Sequence, residues 1–256
     1  MGVNAQTSVP AFTAGQVLTA AEMTEVNTGI PVFATTVTRD AAFGGTGEKV
    51  LAEGQYAYIE ATDTLQVYTG SAWVSAVNSG LVPIVPTSVA VGSGTATVAA
   101  NGLITFTTVG TNLSINGCFS SSYSAYKIIY VSANASAAGV TMRLRVSGSD
   151  SSATNYWQNG FFSNASASNA ENTYGTSWSL STTGRTNRSF SGDMIDPFKT
   201  SGTFLIGSSA EYTAGTSGGI YVAANANTAA TSYDGFSFIP GGSTMTGTLS
   251  IFGYNQ

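Results

Sequence analysis

Apolar and polar residues alternate in short stretches through the last two thirds of the chain, and turn residues such as Asn101-Gly102 and Asn116-Gly117 separate the stretches. A two-residue period bounded by turns predicts β-strands, and many short strands at regular spacing are typical of a β-sandwich. We therefore predict a mainly β fold in which residues 81–256 form a jelly-roll-like sandwich. The predicted strands are 96–99, 103–109, 113–115, 125–132, 141–147, 155–162, 174–181, 188–195, 203–209, 220–223, 235–239 and 245–254.

The alternation also predicts which face of a strand is buried. In residues 141–147, Met142, Leu144 and Val146 share one face, while Arg143 and Arg145 share the other. Because apolar side chains favour the interior, we assign the first three residues to the core and the two arginines to the outside.

The first thirty residues follow a different pattern. Thr19-Ala20-Ala21-Glu22 matches a capping box, in which a threonine and a glutamate three positions later each bond the other's backbone N–H. This pattern predicts a short helix, and Gly29 is a suitable residue to end it. A helix of about ten residues is too short to be stable alone, so we expect it to pack on another element.

A small β module is predicted next, over residues 32–80. Residues 54–60 and 64–68 alternate in polarity around a turn at Ala61-Thr62-Asp63, and Trp73-Val74 adds a further strand. So small a sheet cannot bury both faces, and we therefore expect it to pack against copies of the same chain.

Turn residues at Asn78-Ser79-Gly80 mark a boundary after this module. We divide the chain into an N-terminal attachment segment with a short helix (1–31), the small β module (32–80) and the C-terminal β-sandwich (81–256).

Charged residues are scarce, at 8% of the chain, and lysine and arginine form no cluster. Residues 1–80 hold seven acids and two bases, which accounts for the whole net charge of −5 because the remainder holds six of each. Nucleic-acid phosphates and anionic membranes bind basic surfaces, so we expect neither as a partner. No apolar run approaches the roughly 20 residues of a membrane span, so we expect no membrane insertion.

The chain contains no histidine, which removes the usual general base, the commonest metal ligand and every Ser-His-Asp or Cys-His arrangement. The single cysteine, Cys118, allows no internal disulfide. We predict a protein that is not an enzyme and that uses neither a metal nor a cofactor.

Paired carboxylates are the catalytic option that remains, because glycosidases use two acids that flank a sugar bond. Asp193 and Asp196 are the sharpest candidates. They straddle a predicted strand end and would face different directions, so the simpler interpretation is that Asp196 organises the turn before Pro197. A glycan-cleaving depolymerase is therefore the third of three functional alternatives.

Aromatic residues near polar loops are a better functional lead. Flat rings offer apolar faces to the C–H groups of pyranose sugars, while neighbouring amides and carboxylates supply oriented hydrogen bonds. The competing interpretation is that these rings fill the core of the sandwich. The candidate ligand-binding residues are Tyr156, Trp157, Tyr174, Trp178 and Tyr212.

The N-terminal part resembles structural proteins of tailed bacteriophages. Residues 12–27, FTAGQVLTAAEMTEVN, look like the opening of minor tail and fibre-like proteins. Residues 39–42 and 64–74 are similar to a small β unit found repeatedly in such proteins. This resemblance implies a place in the virion.

The C-terminal part carries a second resemblance. IDPFKT at 195–200, YDGFSFIP at 233–240 and MTGTLSIFGY at 245–254 look like a jelly-roll-type domain common at the ends of phage proteins. The two resemblances together imply a virion protein that forms homotrimers, and they supply no catalytic residues.

The resulting hypothesis is a structural protein of a tailed phage particle, either a short tail fibre or a receptor-binding protein. Its N-terminal region would contact other virion proteins, and its sandwich would bind a host surface glycan. The alternative is a capsid decoration protein or head fibre. The N-terminus MGVNAQTSVPAF lacks the basic and apolar regions of a secretion signal, so we expect assembly in the host cytoplasm and release by lysis.

Overall fold

The computed structural model describes residues 7, 9, 11–27, 29–45, 48–77, 80–164, 168–181, 184–214 and 217–255. It divides into two compact units, Met1–Ser79 and Gly80–Gln256. The predicted attachment segment and β module thus fall in one unit. Of the predicted boundary turn, Asn78 and Ser79 lie outside the described residues.

In its described residues, the first unit contains two short α-helices and one four-stranded sheet. The strands lie in the order β1-β2-β3-β4, with β1 parallel to β2 and the other pairs antiparallel. In the described ranges, no helix is long and apolar enough to cross a membrane. The elements are α1 (Ala20–Asn27), β1 (Val32–Phe33), α2 (Thr36–Ala41), β2 (Tyr56–Ile59), β3 (Thr64–Tyr68) and β4 (Trp73–Ser75).

Helix α1 begins as the sequence predicts. The backbone N–H of Thr19 donates to Oε2 of Glu22 at 2.7 Å, and the N–H of Glu22 donates to Oγ1 of Thr19 at 3.2 Å. Hydrogen bonds from the Thr19 backbone and hydroxyl lower the pKa of Glu22. The predicted capping box is therefore confirmed.

Helix α2 was not predicted. Thr35 caps it by accepting from the N–H of Thr38, and the Thr38 hydroxyl in turn accepts from the N–H of Thr35 at 3.0 Å. Threonine here fills the position where a capping box usually has glutamate or glutamine, so the usual signature is absent from the sequence.

The core of the first unit is small. Phe33, Ala57 and Ile59 are fully buried, and Phe43 and Trp73 pack against them. The guanidinium carbon of Arg39 lies 4.7 Å from the centre of the Trp73 ring, in cation–π geometry.

The second unit is a β-sandwich of a large and a small sheet. Within the described residues the large sheet runs β14-β13-β18-β17-β16-β10-β20-β8-β7, with β5 also paired to β20. The small sheet runs β12-β11-β19-β9-β6, with β15 also paired to β11. The strands are β5 (Leu81–Pro83), β6 (Ser88–Val91), β7 (Thr95–Val98), β8 (Ile104–Val109), β9 (Leu113–Asn116), β10 (Ala125–Asn134), β11 (Val140–Val146), β12 (Ser149–Asp150), β13 (Tyr156–Asn164), β14 (Ser168–Gly175), β15 (Trp178–Ser179), β16 (Asn187–Ile195), β17 (Thr203–Thr213), β18 (Ser217–Asn227), β19 (Gly235–Pro240) and β20 (Met245–Tyr254).

Eight of these strands have jelly-roll connectivity. The neighbours β8-β20-β10-β16 belong to the large sheet, and the neighbours β9-β19-β11-β15 belong to the small one. Along this eight-stranded frame the chain changes sheet at every step except between β11 and β15, which is the double Greek-key arrangement of a jelly roll. The mainly β fold with a jelly-roll-like sandwich is therefore confirmed.

Two hairpins are inserted into the frame. The hairpin β13–β14 lies between β11 and β15 in the chain, and the hairpin β17–β18 lies between β16 and β19. All four strands join the large sheet beyond β16, in the order β17-β18-β13-β14. We call these four strands the extension.

The core lies between the two sheets, and the predicted burial of 141–147 is correct in part. Met142 and Leu144 are fully buried. Val146 is 37% exposed, so its assignment to the core is wrong. The strand ends at Val146, and Ser147 begins a turn with a left-handed backbone at φ 50°.

Arg145 lies on the face opposite the core, as assigned, but it is only 8% exposed. Its guanidinium forms an ion pair with Asp150 and donates to the hydroxyls of Ser114 and Ser237 at 3.0 and 2.9 Å. It also donates to the side-chain oxygen of Asn116 at 2.9 Å. A hydrogen-bonded polar network thus covers this part of the outer side of the small sheet, and it buries the arginine by surrounding it with partners.

Candidate functional site

The candidate site lies on the outer face of the large sheet, by which we mean the side opposite the sandwich core. Strand register aligns the outward positions of the extension with those of β16 and β10. Successive side chains of a strand point to opposite faces, so this one face collects every second residue of each strand. Several aromatic residues that the sequence singled out belong to it.

Trp157 and Tyr174 form a ring pair on this face. They are register partners on β13 and β14, their ring centroids are 4.6 Å apart, and the ring planes are inclined by 40°. Trp157 is 44% exposed and Tyr174 is 49% exposed. The pair therefore presents aromatic surface to solvent at the edge hairpin of the sheet.

Two amides lie next to the ring pair. Asn159 and Asn172 are register partners two residues further along the same strands, on the same face, and both are exposed. Together with Phe161, Ile206 and neighbouring small residues they line a depression of about 580 Å³. Rings beside amide groups can offer an apolar platform and oriented hydrogen bonds to one sugar ring.

Tyr212 lies on the same face but apart from this pair. It is 54% exposed and lines a second depression of about 410 Å³ with Val131, Ser189 and Thr248. Tyr212 lies eight residues from Phe204 along β17. Phe204 is aligned with Trp157 across the sheet, because both pair with Ala226 of β18. At about 3.4 Å per residue that separation is roughly 27 Å, so Tyr212 and the ring pair are separate sites.

Tyr156 and Trp178 are fully buried. The Tyr156 hydroxyl donates to the carbonyl of Ser151 at 2.8 Å and accepts from the N–H of Leu144 at 3.0 Å. The Trp178 indole donates to the carbonyl of Trp157 at 3.1 Å. These two residues belong to the core and hold β13 in place, so they are removed from the candidate surface, while Trp157, Tyr174 and Tyr212 stay predicted ligand-binding residues.

The two carboxylates singled out by sequence are engaged in separate contacts. Asp193, on the outer face, lies 3.3 Å from Nζ of Lys127 and accepts from the Tyr254 hydroxyl, which raises the pKa of Tyr254 to about 12. Asp196 forms an ion pair with Lys199 at 2.6 Å and has a left-handed backbone at φ 54°. Each carboxylate therefore has its own cationic partner.

Asp196 and Lys199 line a third depression, of about 350 Å³, with the serine-rich loop 120–124 and Phe198. Among the described residues, no three Cys, Asp or Glu side chains come together in a way that could hold a metal ion.

Two oppositely charged side chains are buried beneath the outer face. Arg188 and Glu211 are register partners on β16 and β17 and are each 3% exposed. Burial lowers the pKa of Arg188, and the charge of Glu211 opposes that shift. The Arg188 guanidinium also donates to the carbonyl of Arg185 at 2.6 Å. The two opposite charges therefore lie at the junction of the frame strand β16 and the extension strand β17.

Sequence reasoning missed the aliphatic part of this face. Ile206, Ile220 and Val222 are each about half exposed. The sequence patterns did not identify these residues as part of a functional surface. The available signal was that β17 and β18 carry large apolar residues at both odd and even positions, which indicates strands that use both faces.

A scan against protein-family models, a search of curated proteins and a search of solved structures each found no match.

Proposed function

We propose that this chain is a structural protein of a tailed-bacteriophage particle, a short tail fibre or receptor-binding protein, and that its sandwich binds a host surface glycan. The single observation that supports binding most directly is the exposed Trp157–Tyr174 pair with Asn159 and Asn172 beside it. Aromatic rings and amides are the groups that recognise the C–H faces and hydroxyls of sugars.

The position of the pair also supports a binding role. It lies on a hairpin that is inserted into an eight-stranded frame, on the face opposite to Tyr156, through which the hairpin joins the core. Binding residues are commonly carried by insertions on a rigid scaffold, because the scaffold's core does not depend on them.

The phage assignment rests on the two sequence resemblances, which also suggest a homotrimer and an N-terminal region that contacts other virion proteins. The lack of histidine and the separate ion pairs of Asp193 and Asp196 favour binding over hydrolysis. A depolymerase is accordingly the weakest of the three alternatives.

Binding is tested by retention of the purified full chain on an array of bacterial surface glycans. We expect retention by the wild type and a loss of about tenfold or more in affinity for Trp157→Ala, because the variant removes half of the ring platform. The matched control is Phe198→Ala, a ring that is 37% exposed in the separate depression near Lys199.

If both substitutions weakened glycan binding equally, or if Trp157→Ala were retained as well as the wild type, the ring pair would not be the binding site. No retention of the wild type on any glycan would remove glycan binding itself from the proposal.

A further inference from the structure

The outer face carries a band of large apolar side chains outside the ring pair. We call this set the apolar band, and its members are 39% to 54% exposed. They occupy outward positions on β10, β17 and β18, which are joined in one sheet through β16. The members are Ile129, Val131, Phe204, Ile206, Tyr212, Ile220 and Val222.

The area of the band is large for a solvated surface. At roughly 100 Å² for each half-exposed aromatic side chain and about 60 Å² for each aliphatic one, the two aromatic and five aliphatic residues present about 500 Å² of mostly apolar surface. The largest apolar patch of a typical monomer is about 300–600 Å². A stable protein–protein interface takes about 800 Å² from each partner. The band is therefore as large as the largest patches of monomers, although Ser189 and Ser191 of β16 divide it, and it supplies more than half of one side of a stable interface.

The small sheet of the same sandwich shows what a solvated outer face looks like here. Its outward positions carry Arg143, Arg145, Ser114 and Ser237, three of which join one hydrogen-bonded network. The contrast between the two outer faces indicates that the band has a partner, because both sheets belong to one unit and meet the same solvent.

The charge of the face favours a second copy of this chain as that partner. At the described outward positions of β10, β13, β16, β17 and β18, the charged side chains are Lys127 and Asp193, which form an ion pair with each other. Two copies of a neutral face can approach without like-charge repulsion, although the whole chain carries a net charge of −5.

The surface shape of the outer face also suits self-association. Small residues such as Ser189 and Ala210 leave a depression of about 410 Å³, which Val131 and Tyr212 also line. A face that meets another copy of itself must offer both protruding and recessed parts, and this face offers both.

We propose that copies of this chain associate through the apolar band. This contact covers Tyr212, so of the three exposed ligand-binding candidates it leaves Trp157 and Tyr174, which are not members of the band, open to a ligand. A glycan is a poor occupant of the band, since aliphatic side chains such as Ile206 and Val222 give no oriented hydrogen bonds to hydroxyls. The inference does not depend on the phage assignment or on glycan binding.

The first test is the mass of the full chain in solution, measured by sedimentation equilibrium. We expect a wild-type mass of two or more chains at micromolar concentration. Because lysines would be buried in the contact, Ile206→Lys with Val222→Lys should weaken association by about a hundredfold or more while circular dichroism stays unchanged. The matched control is Ala90→Lys, at an exposed outward position of the small sheet, with the wild-type mass expected.

The second test uses the burial of Cys118, which leaves the wild type without an accessible thiol. Ser208→Cys places a thiol in the middle of the band, and Ala90→Cys places one on the small sheet. We expect a maleimide to label Ala90→Cys quickly and Ser208→Cys at least about tenfold more slowly, with the difference lost when the lysine pair is added. A monomeric wild type, or equal labelling rates in the assembled protein, would overturn the proposal.

Discussion

The hydroxyls of Tyr130 and Tyr156 find their hydrogen-bond partners inside the sandwich. Tyr156 satisfies two backbone groups from within the core, and the Tyr130 hydroxyl lies 3.4 Å from the sulfur of Met245. Such groups are stable only in the neutral form, because an ionised phenolate in an apolar interior loses its hydration.

This leads to a prediction for alkaline pH. Burial raises the pKa of Tyr130 and of Tyr156 to about 12, whereas unfolded tyrosines ionise with a pKa of about 10. A raised folded-state pKa means that the stabilising contribution is complete below about pH 10 and is lost as the pH rises through about 12. In denaturant titrations, we expect each tyrosine to lower the free energy of unfolding by about 1 kcal/mol per pH unit in that window.

Tyr156→Phe provides the control for this prediction. The variant loses two hydrogen bonds and should be less stable near neutral pH, but its alkaline decline should be shallower because one raised pKa is gone. A decline as steep as that of the wild type would show that Tyr156 does not resist ionisation.

The network around Arg145 leads to a second prediction. Replacing Arg145 by alanine leaves Asp150 and the hydroxyls of Ser114 and Ser237 without their shared cationic donor. We expect Arg145→Ala to lower the free energy of unfolding by about 3 kcal/mol, measured by denaturant unfolding. Arg143→Ala, on the same strand and only partly buried, should cost less than about 1 kcal/mol. Equal losses for the two arginines would contradict the network.

At the scale of elements, the extension differs from an ordinary edge addition because both of its faces are used. Its inner face buries polar side chains, among them Gln158, Asn225 and Asn227. Gln158 accepts from the N–H of Ser179 at 2.6 Å, and the Tyr233 hydroxyl donates to Asn227 at 3.2 Å. These bonds fix the extension to the frame and so fix the geometry of the outer face.

The central strand β20 leads to a prediction of its own. Its pairing with β8 shifts register between Met245 and Gly247, and a Cβ at Gly247 would lie 1.9 Å from the carbonyl oxygen of Val131. We expect Gly247→Ala to destabilise the sandwich by about 3 kcal/mol in thermal or denaturant unfolding, since backbone must move to admit one methyl group.

The control is Gly175→Ala on the edge strand β14, where a Cβ meets nothing within 4 Å. That variant should unfold within about 0.5 kcal/mol of the wild type. A tolerated alanine at position 247 would mean that β20 can shift away from β10 at little cost.

The sequence predicted the elements of the frame better than those of the extension. Strands such as β10 and β20 alternate strongly in polarity between clear turns, and their positions agree with the prediction. A single predicted strand over 174–181 is wrong, because β14 ends at Gly175 and β15 begins at Trp178. The polar stretch Ser168-Asn169-Ala170 carries no alternation, and only pairing with β13 makes it a strand.

The candidate site was predictable only in part, and for a related reason. Alternation places Tyr156 and Trp157 on opposite faces, but it does not say which face of an inserted hairpin is covered. That depends on β15, whose Trp178 packs edge-on against Tyr156 with the two ring centroids 5.1 Å apart. Trp178 thereby covers the inner face of the hairpin. Contacts of this kind between distant segments are not encoded in local pattern.

At the scale of the whole molecule, the two units differ in charge and in core. The acidic residues in excess all belong to the first unit, whose fully buried apolar set is small, whereas the second unit has an extensive core and a balanced charge. This division fits the proposed roles, in which the first unit contacts other virion proteins and the sandwich presents its outer face to the host and to other copies.

The most direct test of the proposed function is the position of this chain in intact phage particles, determined by gold-labelled antibodies raised against the purified sandwich. The account predicts label at the tail and none on the capsid. Label at capsid facets or vertices with an unlabelled tail would contradict the receptor-binding assignment and favour a capsid decoration protein or head fibre. Particles without any label would contradict the assignment of this chain to the virion.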